Sequence, residues 1–267
     1  MISNNCVARG LLFVPSYDKY LKKIEKMDAE AIIIDLEDSV AQEDKEAALT
    51  HCIEFLSNYD NRINIYVRLN FDRAEYEISK LQDFNVRGFV FPKLESADDI
   101  PAICSKDIIG LIETPMGVVN VDKYIADQRI TAIAFGAEDY SSISECANEE
   151  TSLLYAKSRL VTYAKAYGKM IYDTVYTDVH NNEGFKNAAI SSKKLGFDGK
   201  MLIHPSQVDL LREVYDDLDY NLIEEIIKKY NECDSGVLYM NDRIYERPHI
   251  EYYKKKLEAK RKGCLDE

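Results

Sequence analysis

The sequence predicts an α/β protein, a (β/α)8 (TIM) barrel with a C-terminal helical lid extension, and three observations carry this prediction. Short apolar runs alternate with stretches of helical periodicity eight times before Pro205. Several of these runs end at a proline or a carboxylate, as buried strands do where the chain leaves a sheet. The chain has 267 residues, which suits a single barrel domain with an extension.

The predicted strands are apolar on both faces, which is typical of a parallel sheet covered by helices. They are residues 11–14, 31–35, 63–69, 86–91, 108–112, 132–135, 169–173 and 199–203. Helices are predicted over residues 17–30 and 43–57, and a further helical stretch follows the third strand and ends at about residue 84. The later predicted helices are residues 96–104, 117–127, 151–167 and 183–195. A doubly wound open sheet is the alternative, but the first strand is not followed by GxGxxG, which disfavours the dinucleotide-binding form.

The pattern changes after Pro205, and this predicts the domain organisation. Residues 1–205 form the barrel that carries the site, and residues 206–267 form an extension or lid that packs on the barrel or on a neighbouring subunit. The extension reads as helical over 206–232, with a strand-like piece at 236–240 and a basic helix after Pro248. It is too small to hold a separate core comfortably.

Composition excludes some classes of function. The net charge of −13 disfavours a nucleic-acid partner, because phosphate binding needs a basic face. The six cysteines are scattered without a CxxC pair, which disfavours zinc and redox motifs. No apolar run approaches a membrane span, and no signal peptide precedes the first strand, so we expect a cytoplasmic protein with free thiols.

Polar side chains follow the predicted strands at their C-terminal ends. In a barrel these ends form one face, where barrel enzymes keep their active sites. Burying ionisable groups there costs several kcal/mol each unless they are paired or bind a ligand. The groups are Glu37 and Asp38, Arg68 and Asn70, Lys93, Glu113, Asp139, Asp173 and His204.

Glu113 and Asp139 are the candidate metal ligands. Each follows a buried strand, the two strands are consecutive, and no His or Cys lies nearby in sequence. Two carboxylates suit a hard cation such as Mg²⁺, which keeps several positions for water or substrate oxygens. The alternative is a pair of surface acids in loops.

Arg68 is the candidate anion receptor, because its planar fork matches a carboxylate. A structural salt bridge to Glu37 or Asp38 is the alternative. The small residues Gly136 and Ala137 would let backbone N–H groups approach a bound carboxylate.

The other strand-end groups have structural alternatives of their own. Lys93 is either a site charge or part of a helix-cap ion pair, and Asp173 could tie barrel-end loops together. His204 is more often a hydrogen-bonded strand-end residue than a catalyst.

Several motifs together resemble the citrate lyase β-subunit family, the CoA-ester lyase branch of the HpcH/HpaI aldolase superfamily. They run in order from about residue 9 to residue 250. They are LLFVP at 11–15, DLEDSV at 35–40, VRLN at 67–70, PK at 92–93, IETP at 112–115, FGAEDY at 135–140, YDTVYTD at 172–178, EGF at 183–185 and LGFDGK at 195–200.

The resemblance implies a (β/α)8 barrel that uses Mg²⁺ to cleave or form 3-hydroxyacyl-CoA esters. It implies that Glu113 and Asp139 bind the metal, that Arg68 holds the oxo acid, and that Glu37 and Asp38 form an acidic pair near the metal. The implied substrate-binding positions are Arg68, Glu113, Pro115, Gly136, Ala137 and Glu138. It also implies a homo-oligomer, a trimer or hexamer, in which a C-terminal segment lids a neighbouring active site.

Two stretches depart from the family pattern. The lid acid is Glu246, one methylene longer than the aspartate of the family motif, and Asp242 replaces a glycine. The turn after the first strand is Ser-Tyr-Asp-Lys at 16–19, whereas many members have a basic, glycine-containing turn that helps to hold CoA.

The leading hypothesis is therefore a lyase that cleaves citryl-CoA, or the citryl thioester of an acyl carrier protein, to oxaloacetate and an acetyl thioester. Glu246 could exchange the proton. Three alternatives stay open: a malyl-CoA-type lyase, a pyruvate-type aldolase on free hydroxy-oxo acids, and a non-catalytic subunit of a complex that binds a 2-oxo acid.

Overall fold

Eight parallel strands form a closed barrel in chain order, β1 to β8. The structure is a computed structural model that describes residues 8–60, 62–216, 219–233 and 235–259. The strands are β1 Gly10–Pro15, β2 Ala31–Asp35, β3 Asn64–Arg68, β4 Gly88–Phe91, β5 Asp107–Ile112, β6 Ile130–Phe135, β7 Met170–Asp173 and β8 Gly199–Leu202. The predicted (β/α)8 barrel is confirmed.

Helices follow most of the strands on the outside of the barrel, and a 3-10 turn, Ala97–Asp99, lies between β4 and β5. The helices are α1 Asp18–Leu21, α2 Lys45–Asn58, α3 Ala74–Leu81, α4 Pro115–Tyr124, α5 Ala137–Ser144, α6 Glu150–Ala166, α7 Asn182–Leu195 and α8 Ser206–Tyr215. Within the described residues, no helix is both long and apolar enough to cross a membrane.

Two predicted helical stretches differ from what the structure contains, and one helix was not predicted. The stretch 17–30 holds only the short α1 and a 3-10 turn at Ile24–Lys26. The stretch 96–104 holds a single 3-10 turn, Ala97–Asp99, because Ser96 and Asp99 form a capping box and Pro101 follows at once. Helix α5 was not predicted, and it places Glu138 and Asp139 in a helical first turn.

Side chains alternate between the barrel interior and the surrounding helices along each strand. The interior cluster takes alternate residues, for example Ala31 and Ile33 of β2 and Ile109 and Leu111 of β5. Continuing this alternation to the strand ends turns Asp35, Arg68 and Glu113 toward the mouth of the barrel. The buried apolar residues between them, such as Ile34 and Ile112, turn toward the helices.

The chain divides into two compact units, and the barrel unit runs from Ala8 to Val214. It therefore includes nearly all of α8, nine residues past the predicted boundary at 205 (214 against 205). Helix α8 follows the last barrel strand, β8, and its Arg212 pairs with Asp28 at 2.9 Å.

The second unit contains the C-terminal residues from Tyr215 onwards. Its elements are α9 Tyr220–Asn231, β9 Val237–Met240, β10 Arg243–Glu246 and α10 Arg247–Ala259. Strands β9 and β10 pair antiparallel, and Leu238 and Tyr245 pack with Ile226 and Ile250 in a small core. This unit therefore has a hydrophobic cluster of its own; its role as a lid stays a prediction.

Four cysteines lie among the described residues, and all four are free: Cys52, Cys104, Cys146 and Cys233. Cys6 and Cys264 lie outside the described residues. The expectation of free thiols therefore holds for the part of the chain that the structure describes.

Candidate active site

A cavity of about 390 Å³ opens at the C-terminal ends of the barrel strands. Its charged lining residues are five carboxylates and one guanidinium: Asp35, Asp38, Glu113, Glu138, Asp139 and Arg68. Its other lining residues are Phe13, Pro15, Ser39, Leu111, Gly136, Ala137, Thr174, Val175, Met201 and Ile203. The barrel thus brings together acids that are far apart in the sequence, and the cavity has an excess of negative charge.

Arg68 is held by an acid that the sequence analysis did not single out. Its Nε and Nη2 donate to the two carboxylate oxygens of Asp35, each at 2.7 Å, and Nη1 donates to Asp38 at 3.0 Å. Burial opposes ionisation of Asp35, but the Arg68 guanidinium outweighs it and keeps the pKa of this carboxyl below its ordinary value. Arg68 is therefore a fixed cation, and two of its three guanidinium nitrogens are hydrogen-bonded to Asp35.

The predicted alternative for Arg68, a structural salt bridge to Glu37 or Asp38, is partly what the structure contains. Asp38 accepts a hydrogen bond and Glu37 lies at 3.4 Å, but Asp35 is the main partner. The guanidinium also lies 4.8 Å from the centre of the Phe13 ring. Any substrate carboxylate that binds here would use the N–H groups of Arg68 that face the cavity.

Glu113 sits where β5 passes into α4, and local structure fixes this junction. Thr114 caps the helix by accepting from the Gly117 amide at 2.9 Å, and Pro115 is the first helical residue. One oxygen of Glu113 accepts the backbone N–H of Lys93 at 3.0 Å. Burial first, and then the nearby Glu37 carboxylate, raise the pKa of Glu113 to about 8.

Gly136 leaves the space that the Glu113 carboxylate occupies. A Cβ at this position would lie 2.7 Å from both Cβ and Oε2 of Glu113, closer than van der Waals contact allows. The glycine is therefore needed for packing against the acid, although its own amide donates to the Ile112 carbonyl.

The amides expected to approach a bound carboxylate are partly occupied, so this expectation is wrong for two of them. The N–H of Gly136 donates to Ile112, and that of Ala137 donates to the Thr174 hydroxyl at 3.1 Å. Helix α5 begins at Ala137, so the amides of Glu138 and Asp139 have no acceptor within the helix. Any amide contact with an anion would come from these two residues.

Glu37 lies beside this cavity and lines a second one of about 550 Å³ together with Lys93, while Asp38 lines both. Burial raises the pKa of Glu37 to about 7, and the neighbouring Asp38 adds to this while Arg68 opposes it. The buried Oε2 atom has no hydrogen-bond partner. Glu37 is therefore a carboxyl group that exchanges a proton near neutral pH.

Several predicted positions lie away from the cavity. Pro115 is not part of the described cavity wall. Asp173 faces the helices, where its carboxylate accepts from Lys157 at 3.0 Å, Lys200 at 3.2 Å and Ser192. His204 is exposed and lies 2.7 Å from the Ser206 hydroxyl. Asp173 thus binds side chains of two helices and a strand and does not tie barrel-end loops together, whereas His204 is a hydrogen-bonded residue next to a strand end, as predicted.

Glu246, the predicted lid acid, lies in the second unit at the end of β10 and is exposed. Its neighbour across the hairpin is Val237. The predicted exchange of a proton by Glu246 stays a prediction.

The residues at the cavity fit a hard divalent cation. The lining donors are carboxylate oxygens, and a nearby cation would offset the burial and mutual repulsion that raise the pKa of Glu113 and Glu37. Within the described part of the chain, no group of three or more His, Cys, Asp or Glu residues is arranged to hold a metal ion. A cation held by Glu113 and Asp139 alone would take its remaining ligands from water or substrate.

The profile of the family described as HpcH/HpaI aldolase/citrate lyase matches residues 9–106 and 104–205, most of the chain. The chain belongs to the HpcH/HpaI aldolase/citrate lyase family. This confirms the resemblance inferred from the motifs, and with it the enzyme class, a carbon–carbon lyase.

Curated members of the family cover nearly the same length. Citrate lyase subunit beta of Haemophilus influenzae is 32% identical, over 97% of this chain and 99% of its own. The (3S)-malyl-CoA thioesterase of Cereibacter sphaeroides is 29% identical, over 91% of this chain and 90% of its own. Human mitochondrial citramalyl-CoA lyase is 28% identical, over 84% and 76% of the two chains.

Solved structures of family members have the same fold. The citrate lyase beta subunit of Mycobacterium tuberculosis, complexed with oxaloacetate and magnesium, superposes with a TM-score of 0.70 at 27% identity. That match covers 78% of this chain and 96% of the other. CitE of the same organism, with magnesium, acetoacetate and coenzyme A, superposes with a TM-score of 0.81 at 23% identity, over 94% and 97% of the chains.

Sequence reasoning missed Asp35, the left-handed Lys93 and the Thr174 hydroxyl. For Asp35 the sequence carried no signal, because every residue of β2 is buried, and only the structure shows that Asp35 shares the interior face with Ala31 and Ile33. For Lys93 no local signal existed, since a lysine at φ +49° is unusual. Its backbone N–H donates a hydrogen bond to the Glu113 carboxylate, which follows the next strand.

Proposed function

We propose that the protein is a Mg²⁺-dependent lyase that cleaves a 3-hydroxyacyl thioester of the citryl type to oxaloacetate and an acetyl thioester. The hydroxyl group loses its proton, the bond between its carbon and the methylene next to the thioester breaks, and a carbonyl group forms. The electron pair goes to the thioester enolate, whose carbon then takes up a proton. The observation that carries the proposal is the convergence of Glu113, Asp139 and Arg68 on one cavity in a member of this family.

Glu113 and Asp139 would hold the magnesium ion. When bound, Mg²⁺ supplies Lewis-acid stabilisation of the oxygen that becomes the carbonyl group and of the adjacent carboxylate. Arg68 and the N-terminal amides of α5 would bind the carboxylate of the oxo acid and hold it in one orientation. The apolar side chains of Phe13, Leu111 and Met201 face the same cavity and would limit its water.

A proton acceptor for the hydroxyl group is available within the barrel unit. Glu37 is buried and its pKa lies near 7, which suits a general base working at neutral pH. Its oxygens make ion-pair contacts at 3.4 Å to Arg68 and 3.5 Å to Lys93. Asp38 is more exposed and shares Arg68 with Asp35. The acetyl carbon would receive its proton from Glu246 of a neighbouring subunit, as the family resemblance implies.

The proposal is tested by measuring oxaloacetate release from citryl-CoA by the purified full-length chain with and without Mg²⁺. Release that requires Mg²⁺, and that Glu113→Ala or Asp139→Asn abolishes, supports it. Glu54→Ala is the matched control, because Glu54 is an exposed acid on α2 outside the cavity. Normal activity of Glu113→Ala would contradict the assignment of the metal ligands.

The choice of substrate needs a panel of thioesters. A malyl-type thioester is the second candidate substrate, because two relatives are named for malyl-CoA and citramalyl-CoA. The panel is citryl-CoA, malyl-CoA, citramalyl-CoA, a citryl carrier-protein thioester and a free hydroxy-oxo acid, each assayed for oxo-acid release. If the chain only binds oxaloacetate and cleaves none of these, it is instead the non-catalytic binding subunit.

The proposed homo-oligomer, a trimer or hexamer, rests on the family resemblance, which also implies that the second unit is a lid on a neighbouring site. Mixing inactive Glu113→Ala and Glu246→Gln chains should restore part of the activity if Glu246 serves a neighbouring site. Sedimentation of the same mixture would show whether the chains associate. A fully active monomer would contradict the shared site.

A further inference from the structure

Lys93 occupies a strained position between two acids of the site. It follows β4 and Pro92, and its φ of +49° is left-handed, which costs a lysine about 1–2 kcal/mol. Such strain persists only where surrounding contacts fix the residue. Here the backbone N–H donates to Glu113 Oε1 at 3.0 Å, so the strained residue is anchored to a candidate metal ligand.

The side chain of the same residue reaches the other acid. Lys93 Nζ lies 3.5 Å from Glu37 Oε1, and both residues line the second cavity. Partial burial opposes the charge of Lys93, but the carboxylates of Glu37, Glu113, Asp139 and Asp38 outweigh it and raise its pKa above the ordinary value. Lys93 is therefore an ammonium ion at neutral pH, and half-exposed.

Without the Lys93 contacts, Glu37 would keep only its 3.4 Å ion pair with Arg68, and Glu113 would lose its backbone partner, so both acids could approach a common cation. One residue contacts both acids, since Lys93 lies 3.0 Å from Glu113 through its backbone nitrogen and 3.5 Å from Glu37 through its ammonium group. Both are long, flexible acids, and a divalent ion attracts each of them. Lys93 gives the two acids separate partners. Its ammonium group pairs with Glu37, and its backbone N–H donates to Glu113.

Building on the proposed function, we propose that Lys93 is a positioning residue that keeps Glu37 out of the metal's coordination shell. Glu113 and Asp139 then remain the metal ligands, and Glu37 remains available to carry a proton. Lys93 couples the two tasks, because its backbone N–H contacts Glu113 and its ammonium group contacts Glu37.

The test is a titration of Mg²⁺ into the full-length protein by calorimetry. Lys93→Gly accepts the left-handed backbone and retains the amide but lacks the ammonium. We expect it to bind Mg²⁺ several-fold more tightly than wild type, because Glu37 can then join the shell. Lys93→Arg should bind Mg²⁺ as the wild type does.

Two further variants separate this effect from simpler ones. Glu145→Gly relieves a left-handed residue at φ +52° at the end of α5 and should leave Mg²⁺ binding unchanged. In the Glu37→Gln background, Lys93→Gly should no longer tighten Mg²⁺ binding. If it tightens binding equally in both backgrounds, only the loss of a positive charge matters, and the proposal is overturned.

The rate of oxo-acid release provides a second test. Lys93→Gly should lower kcat for oxo-acid release by about 10- to 100-fold with little change in KM, since substrate still binds but the proton carrier is displaced. Lys93→Arg should restore most of the rate. Unchanged Mg²⁺ affinity in Lys93→Gly overturns this inference alone, whereas a wild type that binds no Mg²⁺ overturns the proposed function and the inference with it.

Discussion

Asp35 and Arg68 are register partners on β2 and β3, and they form a two-point ion pair at the mouth of the barrel. Both contacts measure 2.7 Å, and the side chains are 3% and 10% exposed, so the pair is shielded from water. A bidentate pair of this kind fixes the plane of the guanidinium as well as its position. The direction from which Arg68 can receive a substrate carboxylate is thereby set by a neighbouring strand.

Arg68→Lys should therefore reduce activity although it keeps the charge. A lysine cannot bond both oxygens of Asp35 and still face the cavity in a fixed plane. We expect kcat/KM for oxo-acid release to fall roughly 10- to 100-fold, equivalent to about 1.5–3 kcal/mol. Arg62→Lys is the matched control, since Arg62 forms an exposed pair with Asp60 at 2.8 Å. Equal activity of Arg68→Lys and wild type would contradict an orienting role for the pair.

Gly136→Ala should disturb the site while leaving the barrel folded. The added methyl group would press on the Glu113 carboxylate at 2.7 Å and turn it from its bond with the Lys93 amide. Weaker Mg²⁺ binding and lower activity, with an unchanged circular dichroism spectrum, are the expected results.

Gly168→Ala is the control, because it adds the same methyl group at a glycine that does not contact Glu113. Gly168 is left-handed at φ +66° with open space around its Cβ position, so this variant should lose about 1–2 kcal/mol of stability and no activity per folded molecule. Gly136→Ala that binds Mg²⁺ normally would contradict the contact with Glu113.

Glu37 and Glu113 should make the metal-free protein less stable to unfolding as pH rises through neutrality. Burial raises their pKa values from 4.5 to about 7 and about 8, so the folded protein keeps protons that the unfolded chain has released. Their contribution is full below pH 4.5 and is lost as pH rises toward about 8. Urea unfolding at about pH 6 and about pH 8.5 measures the change.

Two comparisons check this pH dependence. Glu113→Gln should have a smaller decrease in stability between the two pH values, because the titrating group is gone. Mg²⁺ should oppose the decrease and bind more tightly at the higher pH, since metal binding competes with protons. A decrease of the same size in Glu113→Gln would show that other groups cause it.

Asp173 should matter for stability and not for chemistry. Its carboxylate faces two ammonium groups, Lys157 and Lys200, in a buried network between barrel and helices. Asp173→Asn leaves both ammonium groups without a carboxylate and should cost about 3–5 kcal/mol. Lys200→Met leaves the pair Lys157–Asp173 balanced and should cost less. Urea unfolding measures both, and a larger loss in Lys200→Met would contradict the charge argument.

Local sequence determined most of the architecture. Runs such as 31–35 and 108–112 could be assigned to strands because a parallel barrel buries both faces of a strand in apolar side chains. Because polar and apolar residues do not alternate along these strands, the sequence does not indicate whether a strand-end residue faces the barrel interior or the helices. Tyr172 points into the barrel and Asp173 toward the helices, but both belong to one uninterrupted buried strand.

The sequence by itself determined the eight strands, their parallel order and the placing of acids at one end of the barrel, because these follow from local periodicity and the direction of the chain. Only the tertiary structure decided the partners of those acids. Asp35 with Arg68, Glu113 with the Lys93 amide, and Ala137 with Thr174 each join different strands or loops. Such contacts depend on strand register and on backbone conformations that no local pattern encodes, so they follow from the closure of the barrel as a whole.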